Sequence, residues 1–91
     1  MDADTKRRVR ARLRRIGGQV EAIERMIESD RYCVDVLNQV AAVQAALGKA
    51  GELVLRKHVE TCVAEAMRTG DGKARRQKID ELMALFGRYG L

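Results

Sequence analysis

The sequence predicts an all-α protein in which three helices form the protomer and the central helix is much longer than the others. Two observations lead to this fold class. Apolar residues recur at spacings of three and four along most of the chain, and none of its 91 residues is proline. Aromatic residues are few, with one phenylalanine, two tyrosines and no tryptophan, as is common where aliphatic helices pack together. We expect a single domain over residues 1–91 with a thin core, which oligomerisation would enlarge.

The first helix is predicted from about residue 5 to residue 28. At ~100° of rotation per residue, its apolar positions fall on one stripe. They are Val9, Leu13, Ile16, Val20, Ile23 and Ile27. Ser29 and Asp30 then interrupt the pattern. Both are candidate N-caps for the next helix, because their side chains can accept hydrogen bonds from the first free backbone amides.

The second helix is predicted from about residue 31 to residue 68, a length of about 55 Å at ~1.5 Å per residue. Its apolar positions alternate spacings of four and three, as in a coiled coil. They are Val36, Val40, Val43, Leu47, Ala50 and Val54. Gly48 and Gly51 lie within this pattern, and each costs about 1 kcal/mol against alanine in a helix. We favour one continuous helix because no proline or Asn-Gly turn accompanies the glycines, while a hairpin at residues 48–51 is the alternative.

A short third helix is predicted from about residue 73 to residue 87. Gly70 is expected to end the second helix as its C′ residue, and Asp71 is a possible N-cap of the third. The apolar side chains on one side of this helix are Ile79, Leu82, Met83 and Phe86.

Positive charge is concentrated at the start of the chain, whose formal net charge is +5. Residues 6–15 contain seven basic side chains and no acidic one. The predicted DNA-binding residues are Arg7, Arg8, Arg10, Arg12, Arg14 and Arg15, with Lys49 and Arg56 of the second helix. A solvated face usually mixes both signs of charge, so a nucleic acid is the preferred partner. Because no helix-turn-helix, zinc-finger or ribbon signature is present, binding would depend on phosphate contacts and duplex shape, with some base contacts from arginine.

Cys33, His58 and Cys62 are the candidate metal ligands, and at ~100° per residue they share one face of the second helix. His58 and Cys62 are four positions apart and can bind one ion together. Cys33 is 25 positions before His58, about 38 Å away on a continuous helix. Two antiparallel helices that cross near residues 46–48 would bring Cys33 of one chain to His58 and Cys62 of the other. The hairpin alternative would also bring residue 33 near residues 58 to 66.

Two thiolates and one imidazole form a soft donor set, which suits copper(I) in a three-coordinate site. Zinc would require a fourth ligand, and nickel(II) stays open because it accepts mixed Cys and His ligation with added ligands. Two other interpretations remain, namely structural cysteines with an unrelated histidine, or cysteines that act as reactive thiols or form an intermolecular disulfide. An enzyme is not expected, since nothing supplies a substrate cleft or an oxyanion donor.

The hydropathy pattern does not suggest export or membrane insertion. No run of about 18 apolar residues is present, and no short apolar stretch follows a charged start. We expect a cytoplasmic protein without a membrane partner, whose two cysteines are too few for the disulfide framework of a small secreted domain.

Three segments together resemble the CsoR/RcnR family of bacterial metal-sensing repressors. They are residues 12–20 (RLRRIGGQV), 32–40 (YCVDVLNQV) and 58–63 (HVETCV), and the resemblance extends over about residues 6 to 86. It implies a three-helix protomer, an antiparallel dimer that forms a four-helix bundle with metal sites shared between chains, and a homotetramer. It also implies that the metal-free tetramer binds operator DNA and that metal binding releases it.

Within this resemblance, Cys33, His58 and Cys62 match the copper(I)-sensing branch, and Tyr32 matches a tyrosine beside its metal ligands. The nickel and cobalt branch adds a histidine near the N-terminus and has histidine in place of Cys62. The formaldehyde-responsive branch has proline where this chain has Asp2, and the persulfide-sensing branch lacks the histidine. One departure is that copper sensors usually carry a glutamate near the metal site in the third helix. The corresponding residues here are Arg75, Arg76, Gln77 and Lys78, so weaker allosteric coupling is expected.

The function expected from the sequence is therefore a copper(I)-responsive repressor that binds operator DNA when metal-free. The alternatives within the same fold are a thiol- or persulfide-sensing repressor and a nickel-sensing repressor. An alternative from another class is a copper-buffering helical protein without an operator.

Overall fold

The computed structural model describes residues 1–89, except for the side chains of Cys62, Thr69 and Tyr89. In that part of the chain every regular element is helical, as predicted. The elements are α1 (Ala3–Glu28), α2 (Cys33–His58), a π-helical segment (Val59–Val63), α3 (Ala64–Thr69) and α4 (Gly72–Tyr89). We refer to Val59–Val63 as the π turn. None of the described helices is long and apolar enough to cross a membrane.

The central helix continues from the start of α2 to the end of α3, although it changes register at the π turn. The backbone stays right-handed and helical on both sides of this turn, with φ −60° and ψ −45° at His58 and φ −59° and ψ −40° at Ala64. Gly48 and Gly51 lie inside α2 and do not interrupt it. The prediction of one long central helix is confirmed, and the hairpin alternative at residues 48–51 is wrong.

The connection between α1 and α2 differs from the prediction. Ser29 is the C-cap residue of α1, and its hydroxyl donates to the carbonyl oxygens of Arg25 and Met26. Asp30 has a φ of 56°, the left-handed conformation that frequently ends a helix. α2 begins after Tyr32, whose side chain caps no backbone amide. Ser29 and Asp30 therefore terminate α1, and their prediction as N-caps of the next helix is wrong.

α1 and α2 pack against each other in antiparallel orientation. An ion pair between Asp2 and Lys57, with 3.6 Å between Oδ1 and Nζ, joins the start of α1 to the end of α2. The buried apolar side chains are Val9, Ile16, Val43, Ala50, Leu55 and Val63. The described chain measures 57 × 27 × 14 Å, and its smallest dimension is little more than one helix diameter of about 10–12 Å. The core of one chain is therefore a single narrow seam.

Each predicted apolar stripe divides into a buried row and an exposed row. In α1, Leu13, Val20 and Ile27 are exposed, and each lies seven residues after the one before. In α2, Leu47 and Val54 are exposed with the same spacing. Positions seven apart follow one line along a helix, so the exposed residues form continuous apolar rows. One chain does not complete the two-layer packing that such rows require, and they remain available to another chain.

The connection into α4 follows the sequence signals with one difference. The carboxylate of Asp71 accepts a hydrogen bond of 2.8 Å from the amide of Ala74, which makes Asp71 the N-cap of α4. Gly70 ends α3 in an extended conformation with φ −74° and ψ 153°, not in the left-handed conformation typical of a C′ glycine. Glycine is required there for space, because a Cβ atom would lie 2.5 Å from the carbonyl oxygen of Ala66.

Only part of the predicted apolar side of α4 is covered. Leu82 and Phe86 are half-buried, and so is Leu85, which was not in the predicted set. Ile79 and Met83 are exposed. The last helix therefore also presents apolar side chains to its surroundings.

Replacing Asp71 with alanine should destabilise the protein by about 1 kcal/mol, because the Ala74 amide loses its acceptor. Chemical denaturation at a fixed protein concentration measures the effect, since association changes apparent stability. Asp80→Ala, at an exposed position in the middle of α4, is the matched control and should have a much smaller effect. Equal losses in the two variants would contradict the N-cap assignment.

Candidate metal centre and basic surface

Two of the predicted metal ligands lie at opposite ends of α2. Cys33 is the first residue of this helix and carries an exposed free thiol, whereas His58 is the last residue and is half-buried. The 26 residues of α2 hold their Cα atoms about 38 Å apart at ~1.5 Å per residue. Among the described side chains, no group of three His, Cys, Asp or Glu residues could hold a metal ion. A single chain therefore does not bring Cys33 and His58 together.

His58 borders an apolar groove between α1, α2 and α4, with a volume of about 760 Å³. Its walls include Leu13 and Leu47, two of the exposed apolar residues described above. Its polar lining comes from His58 itself and from Glu81 and Arg88 of α4. The imidazole therefore shares a largely apolar groove with one acidic and one basic side chain.

Glu81 is a residue of this region that sequence reasoning missed. The family resemblance points to residues 75–78 as the region of a glutamate, and none of these four residues is acidic. Glu81 follows about one helical turn later and lines the same groove as His58. The sequence indicates that Glu81 and Arg88 share one face of a helix. Only the packing of α4 across the chain places Glu81 beside α2. The groove thus contains a carboxylate despite the departure at residues 75–78.

Cys62 lies within the π turn, four residues after His58, and its side chain is outside the described part of the structure. Tyr32, the predicted neighbour of the ligands, is the N-cap residue of α2 and is 68% exposed. In one chain Tyr32 therefore lies at the Cys33 end of α2, far from His58.

Lys57 links the π turn to the beginning of α1. Its Nζ lies 3.6 Å from Asp2 and 3.9 Å from Glu60, and its side chain is 26% exposed. A hydrogen bond with the Thr5 side chain, helped by the positive charge of Lys57, lowers the pKa of Asp2 below its ordinary value. Sequence reasoning missed this connection because Asp2 and Lys57 are far apart in the chain.

The predicted DNA-binding arginines of α1 are all exposed. They are Arg7, Arg8, Arg10, Arg12, Arg14 and Arg15. Arg7 forms an ion pair with Asp4 at 2.6 Å. Helix packing places Arg8 and the α2 residue Arg56 around one polar recess of about 300 Å³, whereas Lys49 pairs with an acidic residue of its own helix. The structure therefore brings Arg56 close to the basic segment of α1.

A family model described as metal-sensitive transcriptional repressor matches residues 5–88. The chain belongs to this family. The family resemblance found in the three sequence segments is thereby confirmed, and the match includes all the residues predicted to bind metal or DNA.

Relatives of this chain within the family are named for the metal that they sense. The copper-sensing transcriptional repressor CsoR of Bacillus subtilis (strain 168) is 47% identical over 78 residues, which are 86% of this chain and 74% of the relative. The copper-sensing transcriptional repressor CsoR of Mycobacterium ulcerans (strain Agy99) is 45% identical over 80 residues, which are 88% of this chain and 66% of the relative. The chain thus spans only part of the length of these relatives.

Solved structures of repressors and regulators share the fold. The crystal structure of the copper-sensing repressor CsoR with Cu(I) from Geobacillus thermodenitrificans NG80-2 has a TM-score of 0.87 and 36% identity, over 100% of this chain and 92% of that chain. The nickel-responsive transcriptional regulator InrS has a TM-score of 0.75 and 32% identity, over 91% of this chain and 90% of that chain. The arrangement of the helices is therefore shared with metal-responsive regulators.

Proposed function

We propose that this chain is a copper(I)-responsive transcriptional repressor, which binds operator DNA when metal-free and dissociates when copper(I) binds. The relatives named as copper-sensing repressors match 86% and 88% of the chain, and the similar structure from Geobacillus contains Cu(I). The protein acts by binding and not by catalysis. Its place of action is the cytoplasm, where its operator lies.

The observation that carries this proposal is the position of Cys33 and His58 at the two ends of one uninterrupted α-helix. A copper(I) site formed by Cys33, His58 and Cys62 then requires a second chain. In an antiparallel pair of α2 helices that cross near residues 46–48, Cys33 of each chain meets His58 and Cys62 of the other. Such a dimer has two shared sites.

The exposed apolar rows support this pairing. Leu47 lies at the expected crossing point and is exposed in the single chain, and Leu13 of α1 lines the same groove. Their burial by a second chain is favourable at about 25 cal/mol per Å² of apolar surface removed from water. We therefore propose a four-helix bundle formed by α1 and α2 of two chains, with two such dimers assembling into a homotetramer.

The donor set fits copper(I). Two thiolates and one imidazole are soft ligands that suit a three-coordinate copper(I) ion. In the antiparallel pair, Tyr32 of one chain approaches His58 of the other together with Cys33, and its hydroxyl can orient the imidazole. The likeness to a nickel-responsive regulator keeps nickel(II) as the second candidate, but nickel would need ligands in addition to these three.

The geometry also offers a route from the metal site to the DNA-binding surface. His58 shares its groove with Glu81 of α4, and the adjacent Lys57 is paired with Asp2 at the start of the basic helix α1. A change in the orientation of His58 can therefore affect the packing of both helices. A coupling free energy of about 1–3 kcal/mol between metal and DNA binding is typical of such regulation.

The shared site predicts that two defective variants restore one site when they are mixed. Cys33→Ala retains His58 and Cys62, and the double variant His58→Ala/Cys62→Ala retains Cys33. Neither variant alone should bind copper(I) tightly in competition with a chelator. After joint unfolding and refolding, each mixed dimer should bind one copper(I), because one of its two sites is complete.

The control is the same pair of variants refolded separately and combined only before the titration. Helical circular dichroism verifies that each variant folds. No recovery of copper(I) binding after joint refolding would contradict a site shared between chains. Repeating the titration with nickel(II) shows which metal the restored site prefers.

The basic surface predicts that Arg14→Ala weakens operator binding by the metal-free protein. Loss of a phosphate contact lowers the affinity and reduces the slope of log K against log salt concentration by about one unit per contact. Fluorescence anisotropy at several salt concentrations measures both quantities. Arg31→Ala is the matched control, because Arg31 is an exposed arginine that pairs with Asp35 at 3.8 Å. Equal loss of affinity in both variants would contradict a DNA surface centred on α1.

A further inference from the structure

A polar recess of about 300 Å³ lies where the beginning of α1 meets the end of α2. Six of the residues that line it are charged, and three of these are basic and three acidic. They are Arg8, Arg56, Lys57, Asp2, Asp4 and Glu60. The recess therefore places carboxylates among cations at one end of the basic segment of α1.

Lys57 is the cation of the recess that acidic side chains neutralise. Its Nζ lies 3.6 Å from Oδ1 of Asp2 and 3.9 Å from Oε2 of Glu60. The Asp2 carboxylate also forms a hydrogen bond with the side chain of Thr5, and this bond, with the charge of Lys57, lowers the pKa of Asp2. Asp2 is therefore ionised at neutral pH, and an anion that enters the recess meets little of the positive charge of Lys57.

The two arginines of the recess have no acidic partner. Among the side chains that the structure describes, neither Arg8 nor Arg56 takes part in an ion pair. Asp4 pairs instead with Arg7, which does not line the recess. Both arginines of the recess are exposed, and guanidinium groups bind phosphate oxygens through paired N–H donors. One guanidinium from each helix is thus available to a phosphate group.

We propose that this recess binds one backbone phosphate of duplex DNA through Arg8 and Arg56, and that Asp2 is a built-in competitor that keeps Lys57 from adding a third contact. This inference rests on the proposed function, because it concerns the same DNA complex. A phosphate oxygen and the Asp2 carboxylate are both negative and can bind the same ammonium group. Asp2 thus lowers the affinity of the metal-free protein for DNA.

Asp2→Asn, Lys57→Met and the double variant test the proposal through the direction of their effects on operator affinity in the metal-free protein. Asp2→Asn should bind more tightly, because Lys57 then neutralises a further phosphate. Lys57→Met should bind more weakly, since the charge of Asp2 then stays in the recess without its cation. The double variant has the net charge of the wild type and should return close to its affinity. Helical circular dichroism verifies that each variant folds.

The salt dependence gives the size of the expected gain in Asp2→Asn. Each further phosphate contact steepens the slope of log K against log salt concentration by about 0.9. The gain should therefore be about three- to fourfold larger at ~50 mM salt than at ~200 mM salt. Asp35→Asn is the charge-matched control, because it frees Arg31 from an ion pair of 3.8 Å at the other end of α2. This control should leave the slope unchanged.

A loss of affinity in all three variants would overturn the proposal, because it would give the ion pair a structural role only. An unchanged slope in Asp2→Asn would overturn it as well. If inorganic phosphate displaced DNA from the wild type more effectively than chloride at equal ionic strength, the recess would be a site for a free anion and not for the DNA backbone.

The role of Asp2 and the repressor function can fail separately. A phosphate contact carries no sequence information, so a duplex of unrelated sequence should show the same order of affinities among the variants. A wild-type protein that did not prefer its operator to this duplex would refute the repressor function. The variants would still decide the role of Asp2 on the unrelated duplex.

Discussion

The continuity of the central helix is the constraint on which the rest of the structure depends. Because α2 extends unbroken from Cys33 to His58, its two ends stay about 38 Å apart. Gly48 and Gly51 each destabilise the helix by about 1 kcal/mol relative to alanine. Packing against other residues must therefore keep the helix continuous. Ala50, between the two glycines, is among the most buried residues of the chain. The contact of α2 with α1 therefore keeps the thiol and the imidazole apart and makes any joint site a property of two chains.

The small thickness of the described chain leaves some of its apolar rows uncovered. With a smallest dimension of 14 Å, the described chain is one helical layer that covers only one apolar row of α1 and one of α2. The other rows stay exposed, and Leu13 and Leu47 from these rows form walls of the groove that His58 borders. The surface available for association thus includes the surroundings of a candidate ligand. Metal binding and association would then change each other's apparent free energy, because both act on the same surface.

Apolar periodicity and capping preferences predicted much of the fold from the sequence. The apolar stripes located three helices, and Asp71 was recognised as an N-cap because carboxylates accept from free helical amides. Ser29 and Asp30 were misassigned because the same residue types also end helices, through back-bonding of the hydroxyl and through the left-handed conformation. The π turn was not predicted, since the segment continues a helical pattern. In this turn the hydroxyl of Thr61 donates to the carbonyl oxygen of Lys57.

The candidate site could be predicted only in part, because some of its residue types are rare in the sequence and others are common. Two cysteines and one histidine draw attention in any sequence, whereas an acidic residue is defined as part of a site only by its position. Lys78, Glu81, Leu85 and Arg88 follow each other at spacings of three, four and three, and therefore share one face of α4. The last three of them line the groove beside His58, and Lys78 pairs with Glu81 at 3.5 Å. A lysine at one position of this face is thus accompanied by a carboxylate one turn later. The groove beside His58 thus contains the carboxylate of Glu81 although residues 75–78 include no acidic side chain, and the departure at these residues is a weaker argument against allosteric coupling than the sequence suggests.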